Sequence, residues 1–140
     1  MATFTGSFVN NAWRRISVET ITVTNPSDGT VAGTISNCGA AEATAALSAA
    51  KSAFPSWSAL GIDGRAAHIL AWKAALLANK AKIVSLLIAE TGKVRGNAEY
   101  DFDMLINCLG YHIEEARRAC GAVIPSPDGG ALSYTTMAPV

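Results

Sequence analysis

No apolar run in these 140 residues approaches the roughly 20 needed to span a bilayer as a helix. The N-terminus also lacks the basic start and apolar centre of a secretory leader. In "MATFTGSFVNNAWRR" the only basic pair, Arg14 and Arg15, comes after a polar, glycine-bearing stretch. No membrane partner is indicated, and a cytoplasmic location is the expectation. Charge of one sign is missing too: eleven Lys+Arg balance eleven Asp+Glu. The basic residues are scattered, so the chain carries no electrostatic footprint for nucleic acid or anionic lipid. Cysteine is scarce. Cys38, Cys108 and Cys120 are odd in number and contain no CxxC pair, which excludes a disulfide framework and leaves reduced, buried structural thiols as the expectation. There is no GxGxxG, no GxSxG and no Ser/His/Asp order that would build a nucleophilic site.

What remains is a chain half apolar in composition and of the usual length for one packed domain. Its first third is extended in character. "NPSDG", Asn25 to Gly29, places Pro, Asp and Gly between the β-branched runs Thr20 to Thr24 and Thr30 to Ile35, which predicts a hairpin. Composition then shifts to alanine. Ala43, Ala46, Leu47, Ala50 and Phe54 share one face of a helix that Pro55 is expected to end. A second helix is predicted from Asp63 as N-cap to Asn79, with Ala66, Ile69, Leu70, Leu76 and Leu77 on a stripe that Lys73 interrupts. A third, carrying Ile83, Leu86 and Leu87, should stop at a left-handed Gly92.

The fourth helix, from about Asn97 to Cys120, is apolar on several sides and so asks for cover from several directions. "GAVIPSPDGG" reads as a connector into a last strand, Leu132 to Thr136, before Pro139. A terminal strand leaves backbone donors and acceptors to be paired by this chain, by a second copy or by further sequence. The order of two strands, four helices and a final strand is an α+β arrangement.

Several constellations have competing readings. Cys108 and His112, at i and i+4, could place two metal ligands on one helix face, but no third ligand stands at a matching spacing. Glu99, Asp101 and Asp103 form an acidic cluster, as do Glu114 and Glu115. Carboxylates two apart point to different sides of a helix, which favours a structural role for them over paired acid/base work. "ETGK", Glu90 to Lys93, looks like the end of a phosphate loop. It lacks the upstream glycine and follows a helix rather than opening one, so that reading fails.

The order of the pieces is more informative than any one of them. "NPSDGTVAGTI", "AALSAAKSAFPSWSAL", "GRAAHILAWKAALLANKAKIVSLLIAETGK" and "DFDMLINCLGYHIEEARRACGAVIPSPDGGALSYTTMAPV" together resemble the N-terminal segment of the NAD(P)-dependent aldehyde dehydrogenase superfamily, from about Val9 to Val140. The resemblance implies an α+β fragment of a larger α/β fold. Residues 1–125 would supply the N-terminal hairpin and helical part of the cofactor-binding domain, and residues 126–140 a connector and the first strand of an oligomerisation arm.

It also implies that the family's catalytic cysteine, general-base glutamate and NAD or NADP site lie downstream. The 140 residues alone would then be inactive and bind no cofactor. The partners implied for a complete enzyme are a small aldehyde and further copies of itself, joined through the C-terminal strand. Met104 and Tyr100 match substrate-tunnel positions, or equally core contacts to the rest of such an enzyme. Glu90 and the backbone of Val23 and Thr24 match positions that hold a monovalent cation in some relatives, and a purely structural role for Glu90 stays open. Val94 stands where proline is frequent after "ETGK", and "GAAEA" departs from the usual polar start of the first helix. The other reading is a self-contained binding or assembly module that pairs through its apolar helix and terminal strand.

Overall fold

A computed structural model describes residues 2–4, 6–15, 19–127 and 129–137. Two small sheets come first. β1 (Ala2–Phe4) runs parallel to β5 (Val31–Ser36), which pairs antiparallel with β4 (Thr20–Thr24). β2 (Gly6–Val9) and β3 (Ala12–Arg15) form a separate hairpin around Asn10 and Asn11, whose φ angles are 54° and 57°. A two-residue loop with both φ values positive matches the right-handed twist of its strands, and asparagine tolerates it better than most residues. Across that ladder Phe8 faces Trp13, with ring centroids 5.4 Å apart and edge to face.

The predicted β4–β5 turn forms as its side chains dictate. Asn25 Oδ1 accepts from the Ser27 N–H at 2.9 Å, and Asp28 Oδ1 accepts from the Thr30 N–H at 2.9 Å and the Thr30 hydroxyl at 2.7 Å. Both are local side-chain turns that replace ladder bonds.

Four helices follow: α1 (Ala40–Ala59), α2 (Gly61–Ala78), α3 (Lys80–Thr91) and α4 (Arg95–Arg118). α1 continues through Pro55, contrary to the expected stop. Proline there leaves the Lys51 carbonyl without its helical donor, but both residues are exposed, so water can satisfy it. α2 begins at Gly61 rather than after Asp63. Asp63 lies within its first turn, caps nothing, and instead accepts from Arg117 Nε at 3.1 Å. Asn79 ends α2, and Gly92 ends α3 with φ 68° and its N–H on the Ile88 carbonyl at 2.9 Å, both as the sequence predicts.

The core is small and centred on α4. Ala98, Phe102 and Ile106, at four-residue spacing, pack with Val84 of α3, and Leu76, Ile83, Leu87 and Ile88 close around them. Further along, Ala66 of α2 and Ile113 of α4 are also buried. The expected stripe on α1 is not covered: Leu47 is 72% exposed, and no residue of that helix is buried. α4 is covered on one face rather than several, leaving Tyr100, Met104 and Tyr111 exposed. Lys73 interrupts the α2 stripe because α4 passes close to it at Gly110. A Cβ on Gly110 would stand 3.2 Å from Lys73 Nζ, so it is the ammonium head of this half-buried lysine that lies against α4 there.

The last strand finds its partner inside the chain. β7 (Ser133–Tyr134), shorter than predicted, pairs antiparallel with β6 (Val123–Ile124), a strand hidden in the expected connector. Thr135 closes the ribbon by donating its N–H to the Ala122 carbonyl at 2.8 Å and accepting the Ala122 N–H on its hydroxyl at 2.9 Å. Asp128 and Pro139, which the sequence places in and after this element, lie outside the described residues. No helix among the described residues is long and apolar enough to cross a membrane.

The 25–29 turn packs directly on the end of α3. A Cβ on Gly92 would meet the backbone N of Ser27 at 3.0 Å and Asn25 Oδ1 at 3.1 Å, whereas one on Gly29 would meet nothing within 4 Å. Both glycines have φ near 70°. Gly29→Ala is therefore expected to lose only the left-handed strain, about 1–2 kcal/mol. Gly92→Ala should lose a further increment of about 1–3 kcal/mol from overpacking. Urea midpoints measure both, and equal losses would contradict the contact between turn and helix.

Candidate functional site

Two regions hold the residues that the sequence singles out. The first is the corner where β4 meets the end of α3. Val23 and Thr24 lie at the C-terminal end of β4, and the β4–β5 register shifts between them, so the backbone there leaves the regular ladder. α3 packs on β4 and β5, and Gly92 abuts the 25–29 turn, which brings the last turn of α3, with Glu90, to the same corner. Glu90 is exposed. A carboxylate and irregular backbone carbonyls are donors of the kind a hard cation takes.

The second region is the exposed face of α4. Tyr100 is 65% exposed and Met104 42% exposed. Spaced by four, they sit one above the other, opposite the Phe102 and Ile106 face, and Cys108 and Tyr111 continue the same stripe. Where a solvated helix face usually carries charge, these four positions carry none.

The remaining candidates resolve into structure. Asp101 pairs with Lys93, Asp103 with Lys80 at 2.6 Å, Glu99 with Arg95 at 3.7 Å, Glu114 with Arg117 at 2.7 Å, and Glu115 with Arg118. Of these pairs, only Asp103–Lys80 joins two helices, and three of the others lie within α4; carboxylates so committed are not poised as an acid/base pair. Lys93 of "ETGK" is engaged by Asp101 rather than free for phosphate. Cys108 and His112 are both exposed, and no group of three His, Cys, Asp or Glu side chains able to hold a metal exists among the described residues. All three cysteines are exposed, contrary to the expectation of buried thiols. The Cys120 thiol makes only a long contact, 3.9 Å, to the Arg117 carbonyl. Sequence reasoning missed a groove between α2 and α4 that Arg65 and His112 help to line. Nothing in spacing along one helix could have shown it, because its walls come from three helices.

Residues 13–140 match the model of the aldehyde dehydrogenase family. The chain belongs to that family. It is 33% identical over 135 residues to 3-sulfolactaldehyde dehydrogenase of Pseudomonas putida, covering 96% of this chain and 28% of that protein. It is 32% identical over 120 residues to glutarate-semialdehyde dehydrogenase of the same species, covering 85% of this chain and 25% of that one. The fold superposes on lactaldehyde dehydrogenase from Escherichia coli with a TM-score of 0.84 at 26% identity, over 91% of this chain and 27% of the other. The chain thus spans about a quarter of the length of the curated relatives it matches.

Members of an aldehyde dehydrogenase family invite the question whether these residues could cradle a nicotinamide dinucleotide. They do not fit it. The parallel pair β1–β5 has no crossover helix between its strands, and β2, β3 and β4 intervene in the chain instead. At the N-terminus of α1, where a pyrophosphate would need free N–H groups, Glu42 Oε2 already takes the Gly39 N–H at 2.8 Å and brings negative charge.

Asp28, in the turn at the first region, has its carboxyl held below the ordinary value of 3.8, chiefly by the hydrogen bond from the Thr30 hydroxyl and next by that from the Thr30 N–H. A lowered folded-state pKa means that the contribution of Asp28 to stability is complete above the ordinary carboxylate value and is lost as pH falls through the lowered one. Thr30→Val removes the leading cause, so the carboxyl-carbon NMR titration of Asp28 should move up toward the ordinary value. An unchanged midpoint would rule out the hydroxyl as the cause.

Proposed function

We propose that the chain is the N-terminal portion of an aldehyde dehydrogenase that oxidises an aldehyde to a carboxylic acid with NAD or NADP as electron acceptor, through a cysteine-bound thiohemiacetal and thioester. The observation that carries this reading is the family match over residues 13–140. In it the nucleophilic cysteine, the general base and the dinucleotide site belong to sequence other than these 140 residues. Three features support that division. The exposed thiols have no base or cation within hydrogen-bonding reach among the described residues, the carboxylates of α4 are committed to ion pairs, and the strands and the α1 N-terminus among the described residues do not suit a dinucleotide.

Within this reading Tyr100 and Met104 line the path of the aldehyde, since an uncharged, exposed stripe suits a carbon chain and methionine adapts its shape to it. The carbonyls of Val23 and Thr24 with the Glu90 carboxylate hold a monovalent cation, a reading supported by the register shift between Val23 and Thr24 and by the packing of α3 on β4. The complete enzyme is cytoplasmic and homo-oligomeric, and the β6–β7 ribbon pairs copies along an open edge. Val123 at 73% and Tyr134 at 62% exposure support a ribbon left for further pairing. The same exposure supports the second reading, a self-contained assembly module, which predicts a discrete dimer of the isolated chain by sedimentation.

The enzymatic reading predicts that the purified 140-residue chain neither turns over aldehydes nor binds NAD tightly. Absorbance at the NADH band, with short aliphatic and aromatic aldehydes and either cofactor, should stay at the buffer rate. Aldehyde-dependent NADH production by the pure chain would overturn the division of labour.

A further inference from the structure

Between the end of α1, the first half of α2 and the later part of α4 lies a groove of about 280 Å³. Ala66 and Ile113, both buried, form its floor, and Ile69 and Leu109 are half-buried in its walls. Trp57 closes one end, its ring 5.9 Å from that of His68. Two polar side chains, Arg65 and His112, are among the residues that line it.

Arg65 is the unusual element. It is half-buried, and among the described residues its guanidinium donates only to the Ser58 carbonyl, at 3.3 Å. Most of its five N–H donors are left open, and it has no ion-pair partner among the described residues. The carboxylates on the neighbouring turns are already held. Asp63 and Glu114 both accept from Arg117, at 3.1 Å and 2.7 Å. A partly desolvated guanidinium with no carboxylate, at the edge of an apolar trough, is complementary to an anion that carries hydrocarbon. Inorganic phosphate would leave the trough unfilled, and a plain hydrocarbon would leave the guanidinium unmet. The volume falls just under the roughly 300–1,000 Å³ of sites for drug-sized ligands, which suits a single ring or a short chain.

We infer that the groove between α2 and α4 binds a small carboxylate with an apolar body, an aromatic monocarboxylate being the best match, with the carboxylate on Arg65 and the ring against Trp57, Ile69 and Leu109. The planar fork of arginine meets a carboxylate through two parallel bonds, which fixes the ring's direction into the trough. This site does not depend on the enzymatic reading, although oxidation of an aldehyde releases acids of the same class.

Benzoate and its uncharged isostere benzamide test it, titrated into the protein and followed by NMR at the Trp57 indole and the Ile69 and Leu109 methyls. Benzoate should shift these signals saturably with a dissociation constant on the order of 1 mM or tighter, and benzamide should bind at least about tenfold more weakly. Arg65→Met should weaken benzoate by a similar factor while leaving the helical circular dichroism unchanged, and Arg65→Lys should fall between. Equal affinity for the two ligands, shifts confined to other residues, or no shift at about 10 mM benzoate would overturn the proposal. So would a dimer that benzoate dissociates into monomers, since a second copy would then be the occupant. Should Arg65→Met fail to fold, the comparison of benzoate with benzamide on the unaltered protein decides alone.

Discussion

The burial of one face of α4 against Val84 is the contact on which the rest of the molecule depends. Ala98 is fully buried, Phe102 3% exposed and Ile106 9% exposed, and they meet a Val84 that is 2% exposed. Truncation of an aromatic at such a site removes both its transfer energy and its packing, a loss of about 3–5 kcal/mol. For a domain whose whole margin is about 5–15 kcal/mol, that is a large share. Few other residues reach this depth. Among the described residues, the hairpins and α1 contribute no side chain to that cluster, and are held by their own turns and by lateral contacts.

Electrostatics fix the register of this core rather than its strength. Lys80 of α3 reaches Asp103 of α4 and also lies 5.4 Å from the centroid of the Phe102 ring, while Lys93 reaches Asp101 across the α3–α4 loop. Exposed pairs of this kind are each worth about 0.2–1 kcal/mol. Lys80 opens α3 and Lys93 follows its end, so the two pairs hold both ends of α3 to the middle of the Ala98 to Ile106 segment and penalise any sliding of one helix along the other. Arg117 does the same between α4 and α2 by taking Asp63 and Glu114 together. One consequence concerns function. With the acids of α4 committed, the uncharged stripe of Tyr100, Met104, Cys108 and Tyr111 is its distinctive exposed feature, and Tyr100 and Met104 within it are the two positions proposed to meet substrate.

Much of this architecture was legible in the sequence, for identifiable reasons. The Asn25 to Gly29 turn and the Gly92 stop were visible because their chemistry is local: side chains that bond their own backbone, and a residue without a Cβ at positive φ. What escaped depends on the environment. Pro55 reads as a terminator, yet it sits in α1 with its orphaned carbonyl turned to water. Asn10 and Asn11 make a tight hairpin that Gly-free sequence does not advertise. β6 was hidden in a proline-flanked connector because two residues cannot show alternation. The face of α4 that would be covered was not legible for a different reason. Apolar residues all round a helix report that cover is wanted, and not where it comes from. The groove beside Arg65 was invisible because its residues converge only when three helices pack.

The small core centred on α4 makes one claim: the chain's most stable part is α4 with the faces of α3 and α2 packed on it, and the β6–β7 ribbon is attached to it only peripherally. Native-state hydrogen exchange resolved by residue tests this most directly. The amides of Val84, Ala98, Phe102 and Ile106 should be the slowest and exchange together, and those of Ile124 and Tyr134 should exchange at least about a hundredfold faster. Equal protection of the C-terminal ribbon and the α4 core, or rapid exchange at Phe102 and Ile106, would contradict it.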